Sequence, residues 1–90
     1  MATELLATGS TAASSTDLVV ADGATVTVSL KGYTSKAVKV KIELKDDAAA
    51  YNVVGSLESW PDNLRAVSIA APGTYRFTRT AGDTCGVFSA

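Results

Sequence analysis

Apolar and polar residues alternate with a period of two along most of this chain. Between Ala24 and Leu30, Val26, Val28 and Leu30 alternate with Thr25, Thr27 and Ser29. Between Val38 and Lys45, Val38, Val40, Ile42 and Leu44 alternate with Lys39, Lys41, Glu43 and Lys45. Successive side chains of a strand point to opposite faces, so both segments predict half-buried strands. A helix would scatter the same lysines around its whole circumference. Further strands are predicted at Thr16 to Val20, Tyr51 to Leu57, Arg65 to Ala70, Thr74 to Arg79 and, as a last short strand, the tail from Cys85 to Ala90. Gly55 marks a bulge or a close backbone approach. Asp22-Gly23 is a strong turn signal, and Asp46 to Ala50 closes a hairpin. Trp60-Pro61-Asp62-Asn63 reads as a β-turn with proline second, and Ala71-Pro72-Gly73 turns the chain again.

Short strands, about six to eight of them, with turn signals roughly every 8–12 residues, predict an all-β fold: a small antiparallel β-sandwich or barrel, Ig-like or jelly-roll-like. Ninety residues make one domain. The first fifteen residues are different, dominated by Ala, Ser, Thr and Gly around the aliphatic pair Leu5 and Leu6. Residues 1–15 therefore read as either an N-terminal extended arm lying on a neighbour or an irregular edge strand, with 16–90 as the sandwich domain.

Charge changes the picture locally rather than globally. Eight basic residues stand against nine acidic ones, so the net basic footprint of a nucleic-acid binder is missing. Five lysines (31, 36, 39, 41 and 45) and one glutamate fall between Lys31 and Lys45. That stretch is either a solvated strand face or a complement, through Lys39 and Lys41, to an acidic patch on a neighbour. No apolar run approaches the length of a membrane helix. The first residues lack the basic and apolar regions of a signal peptide, so synthesis in a cytoplasm is the expectation.

Candidate chemistry is sparse. The chain has no histidine, the commonest general base and metal ligand, and a single cysteine, Cys85. Cys85 is expected to be a small buried hydrophobe. The pair Asp46-Asp47 belongs to a turn, where carboxylates solvate the loop rather than converge on a cleft. No phosphate loop or nucleophile elbow is present. The expectation is no enzyme, no metal and no cofactor. Trp60 is either the end of the core, an anchor for an assembly contact or a platform for a ligand. Tyr33, Tyr51, Tyr75 and Phe77 take strand positions where core packing is the default, and Arg76 and Arg79 fall on opposite faces.

The stretch Lys41-Ile42-Glu43-Leu44-Lys45-Asp46-Asp47, then Tyr51 to Leu57, Gly73-Thr74-Tyr75-Arg76-Phe77 and Gly86-Val87-Phe88 resembles small proteins from the structural modules of tailed-bacteriophage genomes. The likeness covers about the last fifty residues, with a looser match at the start. The resemblance implies a non-enzymatic virion component, first of all a head decoration or cement protein that bridges capsid subunits. A tail, connector or fibre component is the second reading, and a carbohydrate-binding or adhesin-like sandwich the rival outside the resemblance. The implied partners are the major capsid protein or other virion proteins and further copies of this chain, with no nucleic acid and no membrane, and the implied location is the virion. Leu5, Leu6, Lys39, Lys41, Trp60, Val87 and Phe88 are the expected contact residues.

Overall fold

The computed structural model describes residues 2–33, 37–60 and 64–90. Among these residues nine strands follow one another: β1 (Thr3–Gly9), β2 (Ala13–Ser14), β3 (Leu18–Val20), β4 (Val26–Lys31), β5 (Lys39–Lys45), β6 (Tyr51–Glu58), β7 (Ala66–Ile69), β8 (Gly73–Arg79) and β9 (Cys85–Ser89). They form two antiparallel sheets, one ordered β1-β9-β4-β7 and the other β2-β8-β5-β6, with β3 beside β2 on the same edge of β8. The fold is a small β-sandwich. The turn expected at Trp60 to Asn63 falls mostly on residues 61–63, outside the described residues, as does Thr34-Ser35-Lys36.

Alternation places the core where the pattern predicts it. Val28 and Leu30 of β4, Val40 and Ile42 of β5, and Tyr75 and Phe77 of β8 are all buried. Leu57, Val20, Cys85, Val87 and Ile69 fill the space between the sheets with them. The tail forms the expected last short strand, and it is central: β9 lies between β1 and β4, and Cys85 and Val87 are completely buried.

The first residues are integral to the sandwich. Strand β1 is the edge strand beside β9, and β2 pairs Ala13 with Arg79 and Ser14 with Thr78. These two pieces of the segment that also reads as an arm are the strands added to the seven predicted along the rest of the chain. A radius of gyration of 12.3 Å matches the value of about 12 Å for a fully compacted chain of this length, with no allowance for a protruding arm.

Two irregularities let β1 lie down. Glu4 pairs with Phe88 and Leu6 with Val87, so Leu5 is an extra residue opposite no partner. Such a bulge resets the alternation, and Leu5 and Leu6 are both buried although adjacent. A second register shift lies between Leu6 and Gly9, which pairs with Cys85. There the β1 backbone passes over Gly86, where a Cβ would come within 2.7 Å of the Leu6 carbonyl oxygen and 2.9 Å of the Thr8 nitrogen. Only glycine permits that approach.

The β5–β6 hairpin turns on Asp46. Its Oδ1 accepts the amides of Ala48 and Ala50, both at 2.9 Å, and its Oδ2 accepts Asn52 Nδ2 at 2.9 Å. The Asp46 amide donates to the Ala50 carbonyl and the Ala49 amide to the Asp46 carbonyl. This loop forces Ala49 to a φ of 64°, the left-handed region, where a Cβ costs about 1–2 kcal/mol. Ala49→Gly is therefore expected to stabilise the protein by about 0.5–1 kcal/mol after allowing for the greater freedom of glycine in the unfolded chain. Urea denaturation checks this, and an unchanged or lower midpoint would remove the strain argument.

Candidate functional site

The outer face of the five-stranded sheet carries a connected row of polar side chains. Register aligns Glu43 of β5 with Arg76 of β8 and Val53 of β6. Glu43 Oε1 accepts Arg76 Nε at 2.7 Å and also the Thr78 hydroxyl. The Arg76 guanidinium lies 3.8 Å from the centroid of the Tyr51 ring, a cation–π contact. The Tyr51 hydroxyl donates to Asp17 Oδ1 at 2.7 Å, and Ser14 and Thr78 share a hydroxyl contact at 3.0 Å. Asp17, Tyr51, Arg76, Glu43, Thr78 and Ser14 thus tie β6, β5, β8, β2 and the residue preceding β3 together.

Glu43, Tyr51 and Arg76 respond to these partners. Burial works to raise the Glu43 pKa, but hydrogen bonds from Thr78 and Arg76 and the charges of Arg76 and Lys41 outweigh it and hold the carboxyl below its ordinary value. The hydrogen bond to Asp17 raises the Tyr51 phenol, and the one to Glu43 raises Arg76. Asp46 is lowered by Asn52 first and then by the amides of Ala50 and Ala48. These shifts belong to groups already satisfied by one another. Among the described residues, no three of His, Cys, Asp and Glu converge as a metal site would require.

The residues expected at subunit contacts separate into two sets. Leu5, Leu6 and Val87 are in the chain's own core, where the β1 bulge and the central place of β9 put them. Phe88 is half-buried, paired with Glu4 on one side and Ser29 on the other. Lys39, Lys41 and Trp60 are at the surface. Lys39 Nζ is 3.9 Å from Glu58 Oε2, while Lys41 lies between Ser56 and Thr78 in the register. Trp60 is 67 % exposed, so the core reading of this residue falls. Of the tyrosines, Tyr75 is buried, Tyr51 lies under Arg76, and the guanidinium of Arg65 covers Tyr33 at 5.3 Å.

Sequence reasoning passed over Val53, Val54 and Leu64, which are 59 %, 55 % and 45 % exposed. With Trp60 they are four of the five large apolar side chains left exposed among the described residues; Val19 is the fifth. Val53 and Val54 are on β6, an edge strand, and Leu64 bridges to Glu58 at the end of the same strand. The signal was a pair of adjacent valines before a glycine, which breaks alternation. It marks a bulge, since Ile42 pairs with Gly55 and Glu43 with Val53, leaving Val54 as the extra residue.

Cys85 is buried as expected. Burial first, and Asp83 to a lesser degree, raise its thiol against the opposing charge of Arg79, which keeps it in the unreactive protonated form. No protein-family model, curated protein or solved structure matches the chain.

Proposed function

We propose that this chain is a non-enzymatic structural subunit of a tailed-phage virion, a head decoration or cement protein that stabilises the capsid through subunit contacts. The observation that carries the reading is the collection of exposed apolar side chains, Val53, Val54, Trp60 and Leu64, along one sheet edge of a domain whose polar face is internally paired. Isolated exposed apolar residues are ordinary, but a group of them on one side marks a contact surface. Tryptophan is the residue type most enriched at the energetic centre of such surfaces. The family resemblance of the last fifty residues supplies the virion context and the major capsid protein as partner.

The mechanism is thermodynamic. A subunit that binds the assembled shell and not its dissociated parts stabilises the shell by mass action. Repetition over a symmetric lattice multiplies a modest contact energy.

The test mixes the purified chain with capsid shells assembled without it and measures cosedimentation. Saturable binding at a fixed ratio to capsid protein is expected. Trp60→Ala should weaken it by about tenfold or more while leaving the thermal melt unchanged. Failure to bind shells would shift the reading to the tail or to a ligand-binding module.

A further inference from the structure

We infer that the free edge of β6 pairs antiparallel with the same edge of a second copy of this chain, joining two five-stranded sheets into one. The inference rests on the assembly reading for its purpose, but its geometry stands on the four edges of the sandwich. Strand β1 carries Glu4, held by Lys31, and two register shifts. Strand β7 has four residues, and the edge beside β8 is broken into β2 and β3, of two and three residues. Short, charged or irregular edges resist pairing. The β6 edge is longer, and Tyr51 to Leu57 contain no charged residue. Its C-terminal end is closed, because the Glu58 amide donates to the Leu64 carbonyl at 2.9 Å.

The register against β5 sets which side chains share a face. Tyr51, Val53 and Ser56 oppose Lys45, Glu43 and Lys41, while Asn52 and Gly55 oppose Leu44 and Ile42. A two-fold axis between Val53 and Val54 satisfies this parity. It sets Tyr51 against Ser56 of the second copy, Asn52 against Gly55 and Val53 against Val54. The bulge therefore lies at the axis, and the two exposed valines cover each other. Farther out, Leu64 beside Glu58 and Trp60 beyond it come against the Ala48-Ala49-Ala50 turn of the second copy, whose three alanines are exposed. Trp60, Leu64, the valines and the flanking backbone offer roughly 500 Å² per copy, so the pair buries about 1,000 Å², the lower bound for a specific interface.

Sedimentation velocity of the full chain over a concentration series tests the pairing. The expected result is a monomer–dimer equilibrium. Val53→Lys should weaken it by about tenfold or more, because each lysine then replaces a valine contact with Val54 and the two like charges flank the axis. Val19→Lys, at the most exposed apolar residue away from this edge (69 %), should leave it unchanged, and both variants should keep the wild-type circular dichroism. A wild-type chain that stays monomeric at about 1 mM, where even weak association registers, overturns the pairing. So does a Val53→Lys variant that associates like the wild type. A monomer that still binds shells removes the self-pairing and keeps the assembly reading; a dimer that ignores shells does the reverse.

Discussion

Arg79→Ala should cost about 3–5 kcal/mol of folding free energy, from the carbonyls it leaves without a donor and the space it leaves unfilled. Arg79 is 4 % exposed. Its Nε donates to the Thr11 carbonyl at 2.7 Å, and its Nη1 to the carbonyls of Ala7 at 2.8 Å and Cys85 at 2.6 Å. No ion pair to Arg79 forms among the described residues, so its charge is spread over backbone dipoles. The guanidinium pins the β1–β2 connection to the start of β9 from its seat on β8. Losing it leaves three carbonyls without their donor, at about 1–3 kcal/mol for each one that water cannot reach. Arg79→Met separates packing from hydrogen bonding: it fills much of the space, donates nothing, and should recover little of the loss. A domain of this size holds roughly 5–13 kcal/mol in total, so either variant should bring the urea midpoint down sharply. Lys41→Ala, on the exposed outer face, should stay within about 0.5 kcal/mol of the wild type. If Arg79→Met unfolds within about 1 kcal/mol of the wild type, the three hydrogen bonds contribute no more than ordinary surface contacts.

The parity that buries Arg79 was legible in the sequence. Tyr75, Phe77 and Arg79 alternate with Thr74, Arg76 and Thr78, so burial of the aromatic pair implies burial of the arginine. What makes that burial tolerable was not legible, because the accepting carbonyls of Ala7 and Thr11 lie about seventy residues away in the chain. The same division runs through the fold. Strand existence follows from local alternation, as β4 and β5 show. Strand order does not, because among the described residues only β5 and β6 are chain neighbours paired with each other, through the Asp46 turn. Every other pairing closes a longer path, which is why the last short strand of the chain can sit between β1 and β4.

Bulges account for the remaining misreadings, and they fall on the candidate site. A period-two template allows one of two adjacent residues inside. At Leu5 and Leu6 the bulge brings both in, which is why the segment also reads as an arm. At Val53 and Val54 the bulge leaves both out. The bulge itself was signalled by Gly55 after two adjacent valines, but valine is a strand and core residue by default, so the exposure of both was not. Register against a partner strand decides the matter in each case, and register is a tertiary property. The exposed apolar side chains therefore lie on and beside β6 rather than at the chain termini, and Trp60 is the one expected contact residue among them.

Removing residues 1–9 should abolish the cooperative unfolding transition. The deletion takes Leu5 and Leu6 out of the core, and each such truncation to alanine costs about 2–5 kcal/mol on its own. It also turns β9 into an edge strand, exposing the backbone that β1 now covers over Gly86, and removes the Ala7 carbonyl from Arg79. These losses together equal or exceed the stability that a ninety-residue domain commands. A milder form of the experiment keeps the chain folded: Leu6→Ala should lower the melting temperature by roughly 10 °C or more, while Thr3→Ala, exposed at the start of the same strand, should change it by little. An extended arm lying on a neighbour predicts the opposite, a truncated chain that melts with the full one and fails only in assembly. The calorimetric scan of the deletion therefore decides whether these residues belong to the fold or to the interface. A transition preserved within a few degrees would return Leu5 and Leu6 to the surface.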